Sequence, residues 1–393
     1  MGRMRPAGYV EVPYPWRAAI GVRSPHPASF YMALVGQTLN YRMPASRRFG
    51  PLLAFAGRRG LPERPLSRVV RSLPRRERAD LDELGRSLGR AWPRLSAESS
   101  SLPAEAPELT LLALQRSAAL TVFAFGGSGA PLLVAKLPRG SGAAADTEAE
   151  ALAEALPTGL APRPLGTVDG ARVQEAIAGA PMRVAALTPA RARALGWPDS
   201  LRQVTDGLNA LAAATVKHEP PAETAARSLE VALAHGRLST RAEKLLRAAW
   251  ADIDRLDRAV LRHGDSAAQN CLFADGRLSG LVDWEKAKPR GMPAFDVLNA
   301  AVAYLDFGVG LACWSQELVT ETFEAAWCGS EFGNRARAGA QEALAAADVG
   351  EALLEPLEVA FFGSRLGRRL ARPEEYLTSP ATAARHLELV CAG

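Results

Sequence analysis

The sequence predicts an α+β protein: a small antiparallel sheet precedes a mainly helical region, with an extra N-terminal region ahead of both. Three observations lead there. Three short apolar runs, 109–115, 119–125 and 131–137, are separated by the turn signals Arg116-Ser117-Ala118 and Gly126-Gly127-Ser128-Gly129, the texture of an antiparallel meander. Helical periodicity fills most of the chain after residue 188. One stretch, His263 to Asp283, interrupts those helices with polar residues and a short hairpin.

With 393 residues, 48% apolar and 23% charged, the chain is ordinary globular material with room for two or three domains. We divide it into an N-terminal extension of unknown role (1–105), a sheet-bearing unit (106–180) and a helical unit (181–393). No run of about 18 apolar residues occurs, so no membrane span is expected. The first residues lack the apolar core of a signal peptide. Cys271, Cys313, Cys328 and Cys391 show no metal or redox spacing, and free thiols in a reducing cytoplasm are expected. Residues 1–100 hold 18 Arg against 7 Asp plus Glu. Those arginines are scattered without aromatic interleaving, so an ordinary solvated surface is expected and no nucleic-acid partner. Only five lysines occur (Lys136, Lys217, Lys244, Lys286, Lys288); where nearly every cation is Arg, a Lys closing an apolar strand points to a need for a compact ammonium.

In chain order, a helix is expected around 78–93, followed by the Ser- and Pro-rich linker 96–107. The meander comes next, then a helix over 147–156 with apolar or small residues at 149, 152, 153 and 156. A strand pair at 164–168 and 171–177 runs into Gly179-Ala180-Pro181. Helices are expected at 188–195, 198–215, 221–235 and 239–262, the last running straight into His263. After the hairpin 270–283, turning at 274–277, further helices are expected at 295–308, 313–328, 333–347, 350–370 and 379–390.

The chemistry concentrates in H-x-D-x-x-x-x-N followed by an apolar strand ending in Asp. Asp265 offers a carboxylate to align an acceptor hydroxyl and take its proton; Asn270 and Asp283 offer two oxygens for Mg2+. Each has a bland alternative as a turn former or cap, but the hairpin returning Asp283 towards Asn270 favours a site. His263 is expected to pack and hydrogen-bond the loop backbone rather than react. Lys136, after Leu132-Leu133-Val134-Ala135, has the placement of a phosphate-holding lysine, steadied by a carboxylate on the next helix. Glu148 is favoured over Glu150, because Thr147 and Glu150 form a T-x-x-E capping box. Ser117 is expected to donate to a phosphate from the first turn of the meander, and the Gln174–Ile177 segment, with Glu175 and Ile177, to meet the nucleotide base through its backbone.

These residues resemble the aminoglycoside phosphotransferase family, which includes choline, fructosamine and homoserine kinase-like enzymes. The resemblance rests on H-G-D-x-x-x-x-N, D-W-E at Asp283-Trp284-Glu285, and Pro293 to Leu298 containing Asp296; it covers about residues 109–330. It implies a bilobal protein-kinase-like fold, with 106–180 as the nucleotide-binding lobe. It also implies ATP and Mg2+ as cofactors, a small-molecule hydroxyl acceptor (a sugar, a sugar-like metabolite or an aminoglycoside), and Asp296 as a brace for the catalytic loop. Ser266 and Ala267 stand where the family usually has Leu and often His, which alters loop packing without removing a catalytic group. The C-terminal helices are only mildly acidic, which favours a neutral or anionic acceptor over a polycation. A non-catalytic nucleotide-binding module of the same fold is the alternative; such a module loses the Lys or one of the two Asp, and all three are present.

Overall fold

The computed structural model describes residues 39–42, 75–107, 109–115, 119–126, 131–138, 143–222, 225–234, 236, 238–312, 315–371 and 378–392. The turn 116–118 with Ser117, residues 127–129 of the glycine turn, and Cys313 lie outside them. The chain divides into two units, one containing the described residues up to Ala153 together with Pro162–Ala180, the other Glu154–Ala161 and the remainder from Pro181.

The first unit is built on a six-stranded sheet: β1 (Leu39–Arg42), β2 (Thr110–Gln115), β3 (Ala119–Phe125), β4 (Pro131–Pro138), β5 (Pro164–Val168) and β6 (Ala171–Glu175). Its order is β1-β2-β3-β4-β6-β5, antiparallel throughout. The three apolar runs of the meander emerge at the expected places; β1 went unnoticed in the sequence, where a four-residue strand leaves little periodic signal. One face of the sheet buries Val122, Ala124, Leu133, Ala135, Val168, Ala171 and Val173 in a cluster shared with Leu84, Leu88, Trp92 and Leu95 of the Arg75–Ala97 helix. Heptad-like spacing at 84, 88, 92 and 95 puts those four side chains on one stripe. The helix is further tied by Arg94, which donates to the carbonyls of Leu165 (3.2 Å) and Thr167 (3.1 Å), and by Ser87, which donates to Asp169.

The Ala143–Ala155 helix begins four residues before Thr147, so the expected capping box at Thr147 and Glu150 does not form. Three consecutive alanines at 143–145, the best helix formers, extend the helix past it. Glu148 therefore lies beyond the first turn and is buried, whereas Glu150 is exposed.

The second unit is mainly helical. The Leu354–Ala371 helix packs against Ala225–Ala234, Thr240–Ile253 and Pro380–Ala392, and Phe323, Trp327, Phe361 and Phe362 make its aromatic core. Buried Glu358 is satisfied there by Trp327 Nε1 (2.7 Å) and by Arg337 through two bonds (2.9 and 3.0 Å). The expected helix 239–262 is corrected: it stops at Ile253, and Val260–Arg262 is a strand paired with Lys288–Gly291. Buried Leu246, Ala249, Ile253, Leu256 and Val260 continue a helical spacing, so periodicity could not see the break. The hairpin is as expected, Cys271–Ala274 against Arg277–Leu281. Among the described residues no helix is long and apolar enough to cross a membrane.

His386 is fully buried and stacks on Phe323 at 4.0 Å, with neither ring nitrogen hydrogen-bonded among the described residues. Burial, reinforced by Arg365 and Arg369, holds its pKa well below 6.5. The unfolded chain takes up that proton first, so the stability due to a neutral His386 is complete above about pH 6.5 and is lost as pH falls below it. His386→Phe keeps the stacking and removes two unsatisfied atoms. We expect it to raise stability by about 1 kcal/mol at pH 7.5 and to widen its lead over the parent at pH 5.5, measured by urea denaturation at both values.

Candidate active site

The first unit presents a buried charge cluster. Lys136 ends the apolar part of β4, and its ammonium donates to Glu148. Glu148 Oε2 also lies 3.1 Å from Arg172 Nη2. Register explains the third member: Lys136 and Arg172 are direct partners across β4 and β6, so the two cations stand side by side and the helix carboxylate is inserted against both. Sequence reading missed Arg172, because its neighbour is set by strand pairing rather than by spacing. Glu175 closes β6, half-buried, its backbone N–H donating to Arg163 O (2.9 Å), while Ile177 follows half-buried on the exit segment.

The second unit holds the polar loop. Val260–Arg262 delivers the chain to His263, and three donors converge on the Asp296 carboxylate at the start of the Phe295–Ala312 helix. They are the backbone N–H of His263 (2.5 Å), the backbone N–H of Gly264 (3.1 Å) and Arg262 Nε (3.3 Å). Ser266 Oγ adds a bond to the Asp296 carbonyl (2.7 Å), with Asn299 Nδ2 donating to the same hydroxyl (3.3 Å). Ser266, which departs from the resembling family's usual Leu, thus becomes a tether.

His263 is fully buried against Trp284, ring centroids 4.6 Å apart. Its Nδ1 accepts the Asp265 backbone N–H (3.2 Å), which leaves the proton on Nε2 to be donated to the Val282 carbonyl (3.0 Å). The neutral imidazole therefore staples the Asp265 loop to the strand end beside Asp283. Burial holds its pKa below 6.5, against the opposing pull of Asp296, Asp265 and Asp283.

Asn270 is buried, and its side-chain amide donates to the Asp265 carbonyl (2.9 Å), turning Oδ1 away from that bond. Its own carbonyl accepts the Val282 N–H (2.9 Å). The loop carrying Asp265 and Asn270 is thus joined to the Val282–Asp283 strand end twice, by Asn270 and by His263. Asp283 is half-buried in a left-handed conformation (φ 74°, ψ 54°) that Asp tolerates better than most residues, and it heads the Trp284–Lys286 turn. The carboxylate of Asp265 accepts from Lys286 Nζ at 3.0 Å. Ser117 falls outside the described residues.

The Phosphotransferase enzyme family matches residues 110–342, and the chain belongs to that family. The reaction class is that of a small-molecule kinase, and the fold is the α+β, protein-kinase-like one. Among solved structures it is similar to macrolide 2'-phosphotransferase from Brachybacterium faecium, at 18% identity over 78% of this chain and 97% of that one, TM-score 0.42. A choline/ethanolamine kinase family protein from Mesorhizobium loti matches at 18% identity over 80% and 99% of the two chains, TM-score 0.38. A thermostable mutant of an aminoglycoside phosphotransferase, in complex with ADP and hygromycin B, matches at 16% identity over 72% and 93%, TM-score 0.44. No curated protein matches the chain.

Gly264 adopts φ +78°, and a Cβ there would strike the Lys286 carbonyl. Gly264→Ala combines a left-handed penalty with a backbone collision. We expect a loss of at least about 2 kcal/mol in chemical denaturation and a displaced Asp265 loop.

Proposed function

We propose that the protein is an ATP- and Mg2+-dependent O-phosphotransferase acting on a hydroxyl of a small molecule: a sugar, a sugar-like metabolite or an aminoglycoside. What carries this reading is the double fastening of the Asp265–Asn270 loop to the Val282–Asp283 strand end, which supports one base and two cation oxygens acting together. In this reading Asp265 aligns the acceptor hydroxyl and takes its proton late in the transfer, as a loose, dissociative transition state requires. Asn270 Oδ1 and the Asp283 carboxylate fit the usual protein share of a magnesium site, one or two oxygens completed by phosphates and water. Among the described residues no three His, Cys, Asp or Glu side chains cluster as an all-protein metal cage, and this chemistry needs none. Magnesium, when bound, supplies charge neutralisation for the phosphates.

In the other unit Lys136 would bind the nucleotide phosphates, with Glu148 and Arg172 fixing its direction. The Glu175–Ile177 backbone would meet the base, and Ser117 a phosphate. Within that range a neutral or anionic acceptor is favoured over a polycationic one, because the C-terminal helices carry only a modest acidic excess. Residues 106–180 and 181–393 would then be the nucleotide-binding and acceptor-binding domains.

The test is turnover of ATP and GTP with magnesium against monosaccharides, choline, a macrolide, streptomycin and hygromycin B, with Asp265→Ala alongside. Asp265→Ala should lose at least about a hundredfold in kcat and Asp283→Asn should raise the magnesium requirement. An Asp265→Ala protein as active as its parent would remove Asp265 from the reaction.

A further inference from the structure

Asp265 has a fully specified backbone and a carboxylate held from a single direction. Its N–H goes to His263 Nδ1, and its carbonyl accepts from Asn270 Nδ2 and from the Ala267 N–H. Among the described residues, the only donor to the carboxylate itself is Lys286 Nζ, 3.0 Å from Oδ2. We infer that Lys286 is a positioning residue for phosphoryl transfer: it holds Asp265 by Oδ2 so that Oδ1 faces the acceptor hydroxyl. The inference rests on the function proposed above and adds to it a residue that neither the motif nor its spacing singles out.

Three observations support it. First, Lys286 projects from a rigid platform. It ends the Trp284–Lys286 turn, which is anchored by buried Trp284, whose Nε1 donates to the Leu281 carbonyl (2.8 Å), and closed by the Ala287 N–H on the Trp284 carbonyl (2.9 Å). Second, the backbone of Lys286 is packed so tightly on Gly264 that no side chain fits between them, which fixes the distance the lysine spans to Asp265. Third, stability does not account for the pair. Lys286 is 55% exposed, and exposed ion pairs contribute little to folding. In a chain with 47 Lys plus Arg of which five are Lys, a lysine at this position supplies one compact point charge where a guanidinium would reach further and bond twice.

A carboxylate free to rotate about χ1 and χ2 samples orientations in which the hydroxyl proton has no acceptor, and small misplacement of a reacting group is costly in rate. Removing Lys286 therefore affects the chemical step more than binding. Because the side chain is solvent-facing, its replacement leaves the fold intact, and thermal unfolding of each variant checks this.

The experiment uses the full chain with radiolabelled ATP and magnesium, following transfer to water and to each acceptor of the panel. Lys286→Met should lower kcat by about ten- to a hundredfold with KM for ATP within about twofold of the parent, the split expected for an interaction made in the transition state. Lys286→Arg, which keeps the charge but not its compact placement, should restore only part of the loss. In an Asp265→Asn background, Lys286→Met should add nothing, because the group it orients has gone. Parental kcat in Lys286→Met overturns the inference. So does an undiminished further loss in the double variant, which would make Lys286 a direct contact of the transferred group. The underlying reading fails separately: a parent that moves phosphate to no acceptor, water included, sinks the kinase assignment itself. An inactive Asp265→Ala beside a fully active Lys286→Met sinks only the role of Lys286.

Discussion

A single buried carboxylate, Asp296, takes the backbone N–H of both His263 and Gly264 while pairing with Arg262. Two peptide groups at a sharp bend would otherwise point their N–H into the protein without partners, and each orphan costs on the order of 1–3 kcal/mol. The carboxylate in turn is tolerable inside only because three donors surround it. Neither the bend nor the buried charge is stable alone; together they define where the following residues, Asp265 above all, begin. Ser266 repeats the logic one residue later by bonding to the carbonyl of the same Asp296.

From that bend a chain of short-range bonds leads outward. His263 passes a proton-bearing Nε2 to Val282, Asn270 receives the Val282 N–H, and Trp284 seats the turn that brings Lys286 back over Gly264. Every link is neutral–neutral or charge-assisted, and none needs a long flexible side chain to be ordered except the last. The polar loop is consequently specified by bonds that end on backbone groups.

How much of this was legible in the sequence follows from the range of each interaction. Asp265, Asn270 and Asp283 are separated by fixed local offsets, so a linear motif captures them. Lys136 is marked by the apolar run before it, and Glu148 by its place on the next helix. Arg172 is invisible in that way, since its standing beside Lys136 depends on the β4–β6 register. Lys286 escaped notice because a three-residue turn must fold back before it reaches Asp265. The false helix over 254–262 came from buried positions that continue the helical spacing past Ile253; what ends the helix is pairing with Lys288–Gly291 some thirty residues on.

The Arg75–Ala97 helix carries a different consequence. Trp92 and the leucines at 84, 88 and 95 form one wall of the core beneath the sheet. The boundary drawn near residue 105 on composition thus separates residues that share a single hydrophobic interior. Trimming the protein back to the family-matching segment would uncover part of this core's apolar surface, inviting association with other chains. The helix therefore belongs to the same folded core although it lies upstream of the family-matching segment, and an amino-terminal tag or fusion is better joined ahead of that helix than after it.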